Sequence, residues 1–326
     1  MWFVLLFPLF SFASASLDPL DVPFDAPYEF SRVAFNLSLG TPGQLQRILL
    51  LDDFEYANLT VGDVAAGGSY DPSASTNFQQ LGYSFDHAGE ADGVFAKEAF
   101  RIDTPEASRS QMLPFVVRND SFASLWAPFG AAGLSCSGDE QTTFLENLAA
   151  QAGKRVITFS LDNSDYKPRE ETTGLMTIGG LAPARCQSNA EFFAATRALI
   201  VDWVVQADEA TFGTTTIDAP GPLRVSVGNW WFGLPFSLMP AAMRAAGVNS
   251  DFSIDCAVNV VFEFKVGSFE FVVGPADYLE RHSDDLCTWT VLAMAEIWLP
   301  ASVLNGTCLH LDYEQSAVGF SSRIPN

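Results

Sequence analysis

The sequence predicts an all-β protein in two lobes, each with its own hydrophobic core. The chain has 326 residues, which is enough for two domains of ordinary size. Aromatic residues make up 13% of the chain and charged residues only 17%, so it is too apolar to be disordered. Short apolar runs alternate with clusters of Gly, Pro, Asn, Asp and Ser at nearly regular spacing, which is typical of many short strands.

The apolar runs give the predicted elements. Strands are predicted at residues 33–39, 47–51, 94–102, 113–117, 156–161, 199–205, 258–266 and 269–273. Two helices are predicted, at residues 142–151 and 235–246; in the first, Phe144 and Leu148 have helical spacing. Residues 186–198 are predicted to cross between two β-rich halves, which gives lobes at residues 16–195 and 196–326.

The N-terminus and the net charge restrict the location and the partners. Residues 1–17 are uncharged and rich in Phe and Leu, and they include the small-residue stretch 13–16, so residues 1–15 are predicted to be a cleaved signal peptide of a secreted, extracellular protein. No later uncharged apolar stretch is long enough to span a membrane, because Glu296 interrupts the best candidate. The net charge of −22 argues against nucleic acid and anionic membranes as partners.

Cysteine, histidine and asparagine positions give three further expectations. The five cysteines lack metal-site spacing and are expected to form disulfides, with one left over. No metal or cofactor is expected, since the histidines are scattered and predicted to lie at the surface or in turns: His87, His282 and His310. Four N-x-[ST] sequons predict glycosylation, at Asn36, Asn58, Asn119 and Asn305.

The segment at residues 39–53 carries a recognisable motif. It reads L-G-T-P-G-Q, then an apolar strand, then Asp52 and Asp53. This resembles the opening of the pepsin-like aspartic proteases, in which a G-T-P-x-Q turn precedes a strand that ends in the catalytic D-T-G-S-x-N-L-W-V. Aligning Asn58, Leu59 and Val61 with N-L-x-V places the first catalytic aspartate at Asp53.

The resemblance covers nearly the whole mature chain. Residues 142–161 are similar to the helix and strand after the first Ψ-loop of the family, and residues 174–186 to its G-x-x-T-x-G-G-x-D turn. Trp203 matches the Trp that opens the second lobe, and residues 311–320 resemble the F-D to G-F-A ending. The resemblance implies two β-barrel-like lobes with a central cleft and a few short helices. It also implies a Cys256–Cys287 disulfide and leaves Cys136, Cys186 and Cys308 unassigned.

The catalytic pair that the resemblance implies is incomplete. Peptide hydrolysis in this family needs two carboxylates that share one proton, one as general base and one as hydrogen-bond donor. Counting back from residues 233–235 places Ser226 at the position of the second aspartate. A hydroxyl without a neighbouring histidine does not ionise near neutral pH, so it cannot share that proton. The chain is identified as a degenerate, inactive member of the family.

The residues that support the catalytic pair have also changed. Phe54 and Val227 replace the threonines that interlock the two loops, and Glu55 replaces the glycine beside the first aspartate. In the flap, Asp86 occupies the position of the tyrosine that closes over substrate, and Tyr83 could substitute only after a register slip. The first Ψ-loop keeps its glycine, whereas residues 298–301 have lost the second. Between residue 17 and the first strand there is no room for a basic prosegment.

Several interpretations stay open at the level of single residues. Asp53 is a surviving catalytic acid or a solvated loop carboxylate, and Asp52 beside it should point to the opposite face. Asp218 is predicted to be a turn residue. The aromatic run at residues 230–232 lines a ligand groove or packs in the core.

Three functions are consistent with the sequence. The favoured one is a secreted, inactive homologue, expected to be a monomer, that binds a peptide or protein in the cleft. The second is an aspartic endopeptidase that uses Asp53 with a non-standard partner. The third is a glycosylated interaction or structural protein whose cleft is vestigial.

Overall fold

The computed structural model describes residues 19–26, 33–51, 60–63, 69–87, 90–103, 108–118, 129–134, 143–162, 172–195, 203–227, 231–283 and 286–325. The predicted signal peptide at residues 1–15 lies outside these ranges.

Strands dominate both halves of the described chain. The first half contains β1 (Leu20–Ala26), β2 (Val33–Leu39), β3 (Gln44–Leu51), β4 (Thr60–Gly62), β5 (Gln79–His87), β6 (Glu90–Asp103), β7 (Ser108–Arg118), β8 (Phe129–Gly133), β9 (Val156–Leu161) and β10 (Thr172–Ile178). The remaining strands are β11 (Glu191–Ala194), β12 (Val204–Phe212), β13 (Thr215–Val225), β14 (Gly233–Pro235), β15 (Ser253–Ile254), β16 (Phe262–Val266), β17 (Phe269–Val273), β18 (Leu279–Arg281), β19 (Cys287–Trp289), β20 (Leu292–Met294), β21 (Ile297–Leu299), β22 (Thr307–Asp312) and β23 (Ala317–Ser322). The helices are α1 (Phe144–Gln151), α2 (Met239–Ala246) and α3 (Pro275–Tyr278), with 3-10 turns at Pro72–Ala74 and Ala301–Leu304. The predicted all-β class is confirmed.

Three predicted strands have the predicted bounds, namely β2, β9 and β17. The strand predicted at residues 258–266 begins later, at Phe262. The cause is a turn in which the backbone N–H of Val258 bonds to the carbonyl of Asp255, while the Asp255 carboxylate accepts from the N–H of Ala257. The strand predicted from residue 199 is described only from Val204, as β12.

The two predicted helices differ in how well their starts were placed. Helix α1 begins one residue after Thr143, whose Oγ1 accepts a hydrogen bond from the N–H of Glu146 at 3.1 Å. Helix α2 begins four residues later than predicted, because Pro235 ends β14 and the helix instead has a proline in its first turn. It ends at Ala246 and is followed by Gly247, whose φ of 71° is in the left-handed region.

A thirteen-stranded sheet brings the two ends of the chain together. Its order is β11-β23-β22-β9-β10-β1-β2-β3-β8-β4-β7-β6-β5. The first six strands in this order are called here the joining sheet. They combine β1 from the beginning of the chain and β22 and β23 from its end with three strands from its middle. Strand β9 is buried along its whole length, as expected for a strand inside such a sheet. The segment predicted as a crossover, residues 186–198, contains β11, which pairs with β23.

The second half has its own sheets and core. Seven strands pair in the order β17-β16-β12-β13-β21-β14-β20, and three more in the order β15-β19-β18. Strand β16 alternates buried and half-buried residues, so one face points into the core. Buried aromatic rings fill that core in edge-to-face and stacked contacts: Phe212, Phe232, Phe262, Phe264, Tyr278 and Trp289.

Two disulfides hold the described chain. Cys256 bonds to Cys287, which is the pairing that the family resemblance implies. Cys186 bonds to Cys308, a pairing that the sequence left unassigned. The second bond ties the segment after β10 to β22, and so it connects the two halves of the chain. Cys136 lies outside the described residues.

Candidate functional site

In the first half, a short ladder surrounds the loop in which the sequence predicts the first catalytic aspartate. Strand β3 runs parallel to β8, and β4 runs antiparallel to β8. Ala131 of β8 therefore lies beside both Leu49 of β3 and Thr60 of β4. The chain leaves the ladder after Leu51 and returns at Thr60.

The second half repeats this ladder around the other predicted catalytic loop. Strand β13 runs parallel to β21, and β14 runs antiparallel to β21. Trp298 of β21 lies beside both Arg224 of β13 and Gly233 of β14. The match extends one strand further, because β4 pairs in parallel with β7 just as β14 pairs in parallel with β20. The two ladders are thus internal repeats of one unit.

The loops that these ladders surround differ in length. Eleven residue steps separate Leu49 from Thr60, whereas nine separate the matching residues Arg224 and Gly233. The loop of the first half therefore has two additional residues between matching ladder positions.

Because of the two additional residues, the position in the first loop that matches Ser226 depends on the end of the ladder from which residues are counted. Ser226 is two steps after Arg224 and seven before Gly233. Counted back from Thr60, the matching residue is Asp53, as the sequence alignment predicts. Counted forward from the ladder, it is Leu51. Asp53 itself lies outside the described residues, together with Asp52, Phe54, Glu55 and Asn58.

Ser226 follows directly after β13 and is buried, with 4% of its surface exposed. Val227, at the position of the interlocking threonine, is buried as well. In the alignment predicted from the sequence, this loop has a hydroxyl and an apolar side chain at the positions of the family's carboxylate and hydroxyl. Neither residue can hold a shared proton at neutral pH.

A small, mostly apolar cavity of about 20 Å³ lies against this loop, with room for about one water molecule. It is lined by Leu134, Trp203, Arg224, Val225, Val227, Leu309 and Leu311. The carbonyl of Leu134, just after β8, accepts from the indole N–H of Trp203 and from the hydroxyl of Tyr313. The rings of these two donors pack edge to face at 4.9 Å. The segment after β8 is thereby fixed to elements of the second half.

A buried ion pair next to Ser226 was missed in the sequence. Arg224 is 7% exposed, its Nε lies 3.0 Å from Oε1 of Glu296, and its guanidinium lies 4.6 Å from the ring centre of Trp298. The indole N–H of Trp298 donates to the same carboxylate oxygen at 2.9 Å. The signal was an arginine inside an apolar strand that ends at the loop. This cluster fixes β13 to β21 beside Ser226, the position that the sequence predicts for the second aspartate.

Strands β5 and β6 form a hairpin at the predicted flap. Asp86 lies near its end and pairs with Ala91, immediately beyond a register shift. Tyr83 falls in the irregular stretch between Gln80 and Ser84. Asp86 therefore lies near the end of the hairpin in which the sequence predicts the flap.

A buried hydrogen bond holds β6 to the segment before the first 3-10 turn. The hydroxyl of Tyr70 donates to Oε2 of Glu98 at 2.7 Å, and Oε1 of Glu98 accepts from the N–H of Ala99 at 2.7 Å. Glu98 is 1% exposed. Burial, and then the adjacent Glu98, raise the pKa of Tyr70, so its hydroxyl keeps the proton that it donates.

Two sequence expectations about single residues are wrong, and a third, open one has different answers for neighbouring residues. His310, predicted at the surface or in a turn, is fully buried in β22. Asp218, predicted in a turn, lies in β13 opposite Glu209, next to a β-bulge that lets the strand continue. In the aromatic run, Phe232 packs in the core, whereas Trp231 is 37% exposed.

The sequence predicts glycosylated asparagines and no metal site. Asn36 on β2 and Asn305 after the second 3-10 turn are both exposed, while Asn119 lies outside the described residues. Within the described ranges, no group of three His, Cys, Asp or Glu side chains is placed to hold a metal. No helix in this part of the chain is long and apolar enough to cross a membrane.

The duplicated ladder, the flap-like hairpin and the joining sheet define a bilobal, all-β protein of the aspartic protease class. A profile of the eukaryotic aspartyl protease family matches residues 35–322, and the chain therefore belongs to that family. A comparison with curated protein sequences finds no match.

Proposed function

We propose that the protein is a secreted, catalytically inactive aspartyl protease homologue that binds a peptide or protein between its lobes. The observation that carries this proposal is the buried Ser226 directly after β13, where hydrolysis requires a carboxylate. The longer first loop supports it, because symmetric presentation of two acids would favour loops of equal length. The protein is monomeric and glycosylated in this proposal.

Loss of one acid removes chemistry but leaves the means of binding. An extended peptide is held mainly by backbone hydrogen bonds and apolar pockets, and these do not depend on a shared proton. The hairpin of β5 and β6 is present, and Val227 lines a mostly apolar cavity. A peptide mimic of the tetrahedral intermediate is therefore a suitable probe.

The test combines turnover and binding in the same preparation. At acidic pH, the purified mature protein should cleave denatured protein no faster without the peptide mimic than with it. Calorimetry should nevertheless detect binding of the mimic. Asp53→Asn is the matched control, and it should change neither result. Cleavage that the mimic blocks and Asp53→Asn abolishes would establish the endopeptidase alternative. Absence of both cleavage and binding would favour the structural alternative.

Secretion and glycosylation need a separate test. When the full chain is expressed in cells that secrete and glycosylate, it should appear in the medium with a mass that an endoglycosidase reduces. Asn305→Gln and Asn36→Gln should each remove part of that difference, since both asparagines are exposed. Retention in the cell, or a mass unaffected by the enzyme, would contradict this part of the proposal.

A further inference from the structure

A row of polar side chains crosses the joining sheet from one end of the chain to the other. Asp21 of β1 lies opposite Thr177 of β10, Thr177 lies opposite Thr158 of β9, and Thr158 lies opposite His310 of β22. Directly opposite residues in antiparallel strands project to the same face of a sheet, so these four side chains form one line. Thr158 belongs to the first half and His310 to the second, so the line crosses their junction.

The hydrogen bonds along this row define the protonation of His310. The hydroxyl of Thr158 donates to the carbonyl of Gly180 at 2.8 Å, and its oxygen lies 2.8 Å from Nδ1 of His310. Since the hydroxyl proton is already used, this oxygen accepts from Nδ1–H. Nε2 then lies 2.8 Å from Ser321 and accepts from its hydroxyl. Both ring nitrogens are satisfied when the imidazole is neutral.

The surroundings of His310 offer little compensation for a positive charge. His310, Thr158 and Ser321 are all fully buried, and the ring of Phe192 lies 6.0 Å from the imidazole. The charged groups on the elements around His310 are Asp21 of β1, Asp162 after β9, Arg185 in the loop between β10 and β11, Glu191 of β11, Asp312 of β22 and Arg323 after β23.

Most of these charged groups already have partners. Asp21 accepts from Thr177, and Asp162 pairs with Arg185. Glu191 accepts from Ser268, and Asp312 accepts from the N–H groups of Glu314 and Gln315. The two bonds of the imidazole are to hydroxyls, which carry no charge to offset a proton.

We propose that this polar row is an acid-sensitive latch, which holds β9 against β22 while His310 is neutral and loosens the junction of the two halves when His310 gains a proton. Protonation places a hydrogen on Nε2, so Ser321 must change from donor to acceptor and its own hydroxyl proton loses its partner. It also places a charge inside a buried sheet. The proposal is independent of what the cleft binds.

The direction of the pH effect follows from burial. Burial lowers the pKa of His310 from the ordinary 6.5 to about 4. The unfolded chain takes up this proton near pH 6.5 and the folded chain only near pH 4, so the stabilising contribution is complete above pH 6.5 and is lost as the pH falls towards 4. Between pH 7 and pH 4, the folded-to-unfolded ratio should fall about 100-fold because of this one group.

The test compares His310→Gln with the wild-type chain and with the control His282→Gln. Glutamine can donate and accept but does not titrate, and His282 is an exposed histidine bonded to Thr288 at 2.9 Å. The folded-to-unfolded ratio is measured by denaturant unfolding at pH 7 and at pH 4. Between these pH values, the ratio should fall about 100-fold more in the wild type and in His282→Gln than in His310→Gln. Equal losses in all three proteins would overturn the proposal.

Hydrogen exchange of the wild-type chain keeps the proposal testable if His310→Gln does not fold. After correction for intrinsic exchange rates, β9, β22 and β23 should lose protection between pH 7 and pH 4. Strands β16 and β17 contain no histidine and should keep theirs. Loss of protection that is uniform, or greatest in β16 and β17, would contradict a latch at His310.

Discussion

The two ladders of this protein have the same connectivity but enclose different loops. Both have a parallel pair, an antiparallel return and a further parallel neighbour, although eleven residue steps separate the matching positions in the first half and nine in the second. Backbone pairing depends little on side-chain chemistry, whereas catalysis depends on two particular carboxylates. Membership of the family fold therefore does not by itself establish the family's chemistry.

The halves also differ in how their buried polar groups are satisfied. In the first half, the hydroxyl of Tyr70 donates to a carboxylate, and in the second half the hydroxyl of Tyr278 donates to the carbonyl of Val260 at 2.7 Å. One disulfide connects the halves and the other lies within the second. Each difference can be measured with paired variants.

The largest expected effect distinguishes the two disulfides. Cys186–Cys308 closes 122 residues and Cys256–Cys287 closes 31, so removing the first should cost about 5 kcal/mol of unfolding free energy and removing the second about 4 kcal/mol. Denaturant unfolding of the two double Cys→Ala variants would measure the difference.

The disulfide comparison needs a background without Cys136, so that the fifth cysteine cannot form a new bond. In a Cys136→Ser chain, the order of the two losses is the informative result. If removal of Cys256–Cys287 costs more, restriction of the unfolded chain is not the main contribution of the bond between the halves.

A smaller effect should separate the two buried tyrosines. Tyr70→Phe removes a donor to the buried Glu98 carboxylate and should lower the unfolding free energy by about 2 to 3 kcal/mol. Tyr278→Phe removes a donor to a neutral carbonyl and should cost about 1 kcal/mol. Thermal and denaturant unfolding at neutral pH would measure both. Equal losses would mean that Glu98 gains another donor when Tyr70 is replaced.

Much of the fold could be predicted because its signals are local. Strands β2, β9 and β17 are apolar runs between turn residues, and α1 combines an N-cap threonine with apolar residues at helical spacing. The start of α2 was misplaced because a proline can end a strand as well as precede a helix.

The parts that escaped prediction depend on contacts between distant segments. The partner of Cys186 is known only once β22 is placed beside β9, since 122 residues separate the cysteines. His310 is polar, and only the sheet shows that Thr158 and Ser321 satisfy both of its nitrogens inside the core. The alignment at Asn58 gave the position of Asp53 relative to the end of the first loop. Its position relative to the start of the loop needed the pairing of β3 with β8.

The smallest expected effect compares how the two long helices begin. The hydroxyl of Thr143 caps α1, whereas α2 starts after Leu238, which offers no side-chain acceptor. Thr143→Ala should therefore lower the unfolding free energy by about 1 kcal/mol, because the N–H of Glu146 loses its acceptor. Thr143→Ser keeps the hydroxyl and should cost clearly less, which separates the cap from the packing of the buried methyl group. If denaturant unfolding shows the same loss of unfolding free energy in both variants, packing of the methyl group accounts for the effect. The N-cap hydrogen bond would then give α1 no advantage over α2.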